Sequence, residues 1–120
     1  MARHLELGKE GEELAKEFLI AKGYVILESN WRYKKAEIDL IAKKDEILVF
    51  IEVKTRSSNY YGNPEDFVNL KKLKFMAEVA PVYMEQIGHE WEIRFDIIGI
   101  LKTPDGTKTT HLEDAYFPEW

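Results

Sequence analysis

The chain has 120 residues, 45% hydrophobic and 32% charged, with a formal net charge of −5 and no cysteine. That composition supports a single domain with a core of its own, and it excludes disulfide frameworks, cysteine nucleophiles, Fe–S clusters and thiolate zinc sites. No apolar run is long enough for a membrane span, and Met1-Ala2-Arg3-His4 leads into charged sequence without a secretory core. We therefore expect a soluble, cytoplasmic chain without membrane partners.

Leu7, Gly11, Leu14, Ala15, Phe18 and Leu19 recur at helical spacing and Gly23 is a suitable stop, so a helix is expected over about residues 4–22. Three strands follow, Tyr24–Trp31, Glu37–Ala42 and Ile47–Thr55, the last two joined by a short polar hairpin connection at residues 43–46. Ser57–Pro64 is a loop by composition. A second helix is expected from Pro64 or Glu65 to about Gln86, with Pro81 either kinking it or starting a new segment. Trp91–Leu101 reads as a strand, residues 103–106 as a turn and Lys108–Leu112 as a closing strand. The order α-β-β-β-α-β-β gives an α/β fold, one mixed sheet flanked by helices.

The charge is uneven. Residues 30–75 hold ten Lys or Arg against seven Asp or Glu, a local balance of +3 that leaves −8 for the remainder. Such a centrally basic chain can meet phosphate locally, although solvated surface charge explains the same numbers.

Four charged positions break the pattern. Asp39 interrupts the apolar run Ile38–Ile41, and Glu52 and Lys54 end the strand Ile47–Val53 on the face of Leu48 and Phe50. A hairpin at 43–46 brings positions 39 and 52 together on adjacent strands, to within a residue or two of register. Two carboxylates at one end of a hydrophobic sheet repel each other unless they pair with cations or share a metal. Oxygen donors without cysteine point to Mg²⁺ or Mn²⁺. The competing reading is a Glu52–Lys54 or Asp39–Lys54 ion pair. Glu12 is the fourth position: it falls beside Gly8, Ala15 and Leu19 on the helical wheel, at the border of the buried stripe, from which it reaches either the sheet or solvent. Lys71, Lys72 and Lys74 span nearly a helical turn, leaving at least one to address a ligand. Tyr60, Tyr61 and Gly62 beside Arg56 form an aromatic–basic mixture suited to splayed nucleic acid. His4, His89 and His111 are scattered and suit ordinary surface or core roles, and no phosphate-cradling loop or nucleophile elbow occurs.

Asp39, twelve intervening residues, then Glu52-Val53-Lys54 resembles the D…(D/E)-x-K motif of PD-(D/E)xK nucleases. The wider series Gly8-x-x-x-Glu12-x-x-Ala15, Gly23-Tyr24, Asn30-Trp31-Arg32, Glu37–Ile41, Phe50–Arg56, Gly62-x-Pro64, Lys72, Arg94-Phe95-Asp96 and Asp114-Ala115-Tyr116 resembles the YraN-type family, related to Holliday-junction resolvases. Ala36 departs from that family's usual glycine. The resemblance implies a restriction-endonuclease-like fold and a Mg²⁺- or Mn²⁺-dependent endonuclease cutting DNA, branched or otherwise structured, to leave a 5′-phosphate and a 3′-hydroxyl. It implies catalysis by Asp39, Glu52 and Lys54, and a metal held by Glu12, Asp39, Glu52 and the Val53 carbonyl. Arg32, Arg56 and Lys72 are the residues expected at nucleic acid, and symmetric cutting implies a homodimer. The alternative is a non-catalytic nucleic-acid-binding or protein-interaction module that retains the nuclease fold.

Overall fold

A computed structural model describes residues 2–57 and 68–117, with side chains from Gly8 onward. Its elements are α1 (Ala2–Ala21), β1 (Val25–Tyr33), β2 (Ala36–Lys44), β3 (Ile47–Arg56), α2 (Leu70–Ile87), β4 (Ile93–Thr103) and β5 (Gly106–Leu112), in the expected order. Tight turns join β1 to β2, β2 to β3 and β4 to β5, and such turns permit only antiparallel pairing. The connection through α2 is long enough to return the chain, so β4 lies parallel to β3. The result is a five-stranded mixed sheet in the spatial order β1-β2-β3-β4-β5.

Strand β3 lies at the centre of this sheet and alternates its side chains between two hydrophobic layers. Leu48 and Phe50 pack with Leu73, Met76, Ala77, Ala80 and Tyr83 of α2. Val49 and Ile51 pack with Ala15 and Leu19 of α1. All four β3 residues are fully buried, each contributing about 1.5–3 kcal/mol relative to exposure. This period of two continues past the apolar run, sending Glu52 to the α2 face and Val53 to the α1 face.

The second helix ends where expected, at Ile87 against about Gln86, and differs at its start. Helix α2 starts at Leu70, because the Asn69 side chain caps it by accepting the Lys72 N–H at 3.1 Å. The expected start at Pro64 or Glu65 lies outside the described residues. At Pro81 the helix neither ends nor restarts; it is one element to Ile87. Proline removes one N–H from the ladder, and burial of Ala77, Ala80 and Tyr83 on either side holds the turn together. No described helix is long and apolar enough to cross a membrane.

The seating of α1 depends on Gly11. A Cβ there would lie 1.9 Å from Thr55 Oγ1, 3.1 Å from its Cβ and 3.3 Å from its Cγ2. Rotating a β-branched side chain only exchanges one clashing atom for another. Alanine at a helical glycine ordinarily gains about 1 kcal/mol from propensity; here overpacking of about 1–3 kcal/mol reverses the sign. Gly11→Ala should lower the urea midpoint, and adding Thr55→Ala should recover most of the loss.

Candidate active site

The β2–β3 ladder runs from Lys44↔Ile47 to Leu40↔Ile51, so the next positions along it are Asp39 and Glu52. There β2 departs from regular pleating. Ile38 and Ile41 belong to the α2-side layer while Leu40 belongs to the α1 side, which strict alternation does not allow. The irregularity turns Asp39 toward its neighbour strand, where its Oδ2 accepts the Val53 N–H at 2.8 Å.

Glu52 is only 3% exposed. Its Oε1 lies 3.2 Å from Lys54 Nζ and 3.8 Å from Lys72 Nζ, whereas Oε2 is buried without a hydrogen-bond partner among the described residues. An unsatisfied buried acceptor costs about 1–3 kcal/mol. Burial pushes the Glu52 carboxyl above its ordinary range, against the charges of Lys72 and Lys54, and the Asp39 charge adds to the rise. Burial likewise pushes Asp39 up, opposed by the Val53 hydrogen bond and the Lys72 charge. Two carboxylates thus sit where the fold disfavours their charged forms, an arrangement concentrated at functional sites.

An open cleft of about 250 Å³ lies over Asp39, lined by Gly8, Glu12, Val53, Lys54, Thr55 and Arg56. Glu12 reaches it from α1, whose approach Gly11 permits, and its Oε2 accepts a hydrogen bond from Asn30 Nδ2 at 3.1 Å. Asn30 adopts a left-handed backbone, φ 53°, within β1. No three Asp, Glu or His side chains among the described residues converge closely enough to hold an ion as they stand. The pair Asp39 and Glu52 nonetheless fits a hard divalent cation: the donors are oxygens, one is orphaned, and Mg²⁺ retains several waters of its own.

A model of the family described as Uncharacterised protein family UPF0102 matches residues 11–100. The chain belongs to the UPF0102 family. Relatives over nearly the whole length include a UPF0102 protein of Christiangramia forsetii, 51% identical over 98% of both chains. Another from Flavobacterium psychrophilum is 50% identical over 98% of both, and one from Thermodesulfovibrio yellowstonii is 45% identical over 98% of this chain and all of its own. Among solved structures, Pyrococcus furiosus SfsA in complex with Ca²⁺ matches at a TM-score of 0.40 and 16% identity. That match covers 92% of this chain but spans only 63% of SfsA, and likeness at this level carries no functional argument.

The basic residues of this UPF0102 chain separate. Lys72 stands at Glu52, Arg56 lines the Asp39 cleft, and Arg32 pairs with Glu37 at 2.8 Å on the exposed β1–β2 hairpin. Lys71 and Lys74 are exposed. Tyr60, Tyr61, Gly62 and Pro64 lie outside the described residues. Among the apolar residues around Pro81, Tyr83 is core.

Sequence reasoning left one polar cluster without a role. Asp96 is fully buried in β4, bonded to Arg94 at 2.8 and 2.9 Å, to His111 Nε2 at 2.7 Å and to the Asp114 N–H at 3.1 Å. Arg94 also donates to the Tyr24 hydroxyl. Lys22 Nζ lies 2.9 Å from His111 Nδ1, and an ammonium can only donate; Nδ1 therefore accepts and Nε2 carries the hydrogen given to Asp96. The cluster ties the end of α1 to β4 and β5.

Two predictions follow from opposite shifts. The carboxyl of Glu52 is raised, so its ionised form opposes folding, and the opposition fades as pH falls through the native-state value. Glu52→Gln should raise the melting temperature at pH 7, by an amount that shrinks toward pH 4. Burial alone would raise Asp96, but bonds from His111 and Arg94 outweigh it and lower the carboxyl below 3.8. Its contribution is present above the unfolded value and lost as pH falls through the native one. Asp96→Asn, which leaves the mostly buried Arg94 with only the half-exposed Glu113, 3.6 Å away, as counterion, should cost about 3 kcal/mol in urea unfolding at pH 7 and progressively less in acid.

Proposed function

We propose that this protein is a divalent-cation-dependent endonuclease acting on branched or otherwise structured DNA. The observation that supports it best is the placing of Asp39 and Glu52 at the next positions beyond the last β2–β3 pair, with Lys54 and Lys72 at one Glu52 oxygen and no hydrogen-bond partner for the other among the described residues. Asp39, Glu52 and the Val53 carbonyl would hold Mg²⁺ or Mn²⁺, with Glu12 reached through a change of partner from Asn30. When bound, the ion supplies Lewis-acid stabilisation of phosphoryl charge and acidifies nearby water.

The chain's own residues have distinct parts. Lys54, one-quarter exposed at the cleft, donates to the phosphoryl oxygens as charge develops or positions the attacking water. Lys72 and Arg56 hold phosphates on either side of the carboxylates. Water attacks phosphorus in line: a P–O bond to the water oxygen forms, the P–O3′ bond breaks, and the departing oxygen takes a proton. The products are a 5′-phosphate and a 3′-hydroxyl. Symmetric cutting of two strands would take two copies of this chain.

The second reading is a non-catalytic binding module of the same fold. The closed Lys54–Glu52 pair at 3.2 Å favours it, together with the absence of a three-ligand cluster among the described residues.

Labelled four-way junction, flap, single-stranded and linear duplex DNA, incubated with Mg²⁺ or Mn²⁺, should separate the readings. Wild type should cut at least one branched substrate, with Asp39→Asn and Glu52→Ala at background and Lys54→Met reduced about 10²–10³-fold. Equal activity in wild type and Glu52→Ala, or none in either at dimer-favouring concentrations, would reject the nuclease.

A further inference from the structure

On the α2 side of Glu52 lies a second cleft of about 390 Å³, lined by Lys35, Ala36, Glu37, Lys72 and Phe75. One wall is the β1–β2 hairpin and the other is the first half of α2. Phe75 is 48% exposed, while its neighbours Leu73 and Met76 are fully buried. Being three residues beyond Lys72, it shares that residue's face of the helix.

The walls are braced before anything binds. Trp31 stacks on Tyr33, with ring centroids 6.3 Å apart and 9° between planes, and meets the ring of Tyr83 edge-on at 5.3 Å. The Tyr83 hydroxyl donates to Glu28 Oε2 at 3.3 Å, joining α2 to β1 again. A preformed cleft reduces the ordering cost of binding. Its lining carries two lysines, Lys35 and Lys72, against one acid, Glu37, which is already paired with Arg32. Lys72 links this cleft to the carboxylates, lying 3.8 Å from Glu52 Oε1.

We propose that this cleft receives an unpaired stretch of single-stranded DNA, with one base on the Phe75 ring and its flanking phosphates at Lys35 and Lys72. An apolar ring that shares a cleft with two lysines suits a base face and the phosphates beside it, and such stacking is indifferent to base identity. The choice of DNA rests on the nuclease reading above; the stacking site itself does not. Under that reading the strand leads to the Asp39–Glu52 pair, and branched substrates are preferred because they offer unpaired bases beside a duplex.

Fluorescence anisotropy in chelating buffer would test this with four probes: a labelled 12-nucleotide single strand, a fully abasic strand of the same length, the RNA counterpart of the first and a blunt duplex. Phe75→Ala should weaken the single strand about 5- to 100-fold. Phe75→Trp should bind it as wild type does, and duplex affinity should be unchanged in both variants. The abasic strand should bind wild type and Phe75→Ala equally. Thermal melts would verify that each variant folds. Unchanged single-strand affinity in Phe75→Ala, an equal loss for duplex, or displacement by an acidic peptide of equal charge would overturn the proposal. Tighter binding of RNA than DNA would overturn its assignment to DNA. If Phe75 governs binding but no substrate is cut, the nuclease reading fails and this one stands; Glu52-dependent cutting without a Phe75 effect gives the reverse.

Discussion

At the end of β2 a side chain does the work of main chain: the Asp39 carboxylate, not a backbone carbonyl, accepts the Val53 N–H. This one bond keeps β2 and β3 together where the ladder stops, and it presents a carboxylate beside Glu52. The hydrophobic layers on both faces of β3 make the arrangement rigid. With Leu48, Val49, Phe50 and Ile51 all fully buried, the strand cannot slip by one residue without exchanging its faces. The position of Glu52 is consequently fixed by the apolar residues that precede it.

That rigidity has an electrostatic cost. The sheet brings two acids out of water, and the lysines supplied in compensation approach only one oxygen of Glu52. The cluster around Asp96 shows what full compensation looks like in the same molecule. There, Arg94, His111 and a backbone N–H satisfy a carboxylate that is buried still more deeply, and its protonation is disfavoured. Asp96 is a strut and the Asp39–Glu52 pair is under-satisfied, though both began as acidic residues within apolar strands.

Much of this was legible in the sequence because charge interrupts hydrophobic periodicity. Asp39 within Ile38–Ile41 and Glu52 at the end of Ile47–Val53 stand out, and the polar connection between the strands sets a register that joins them. The helical wheel placed Glu12 at the border of the buried stripe, and the structure puts it on the cleft wall. Which of three lysines meets Glu52 was not legible, since it depends on how α2 seats against the end of β3, a tertiary placement that the run of lysines does not announce. Asp96 carried the same signal as Asp39, but its partner His111 comes from a neighbouring strand, and nothing local announces it. The persistence of α2 through Pro81 was likewise settled by tertiary burial over local propensity.

The outer strand β1 also governs how far the sheet extends. Its pairing with β2 shifts register between Ile26 and Glu28, and Asn30 takes a left-handed conformation five residues into the strand. Irregularities of this kind twist an edge away from the flat geometry that another strand needs for pairing. Val25 and Leu27 are exposed there, so the edge would otherwise be an apolar template for its own copies. The distortion that delivers the Asn30 amide to Glu12 therefore also interrupts the continuous row of donors and acceptors along which chains aggregate.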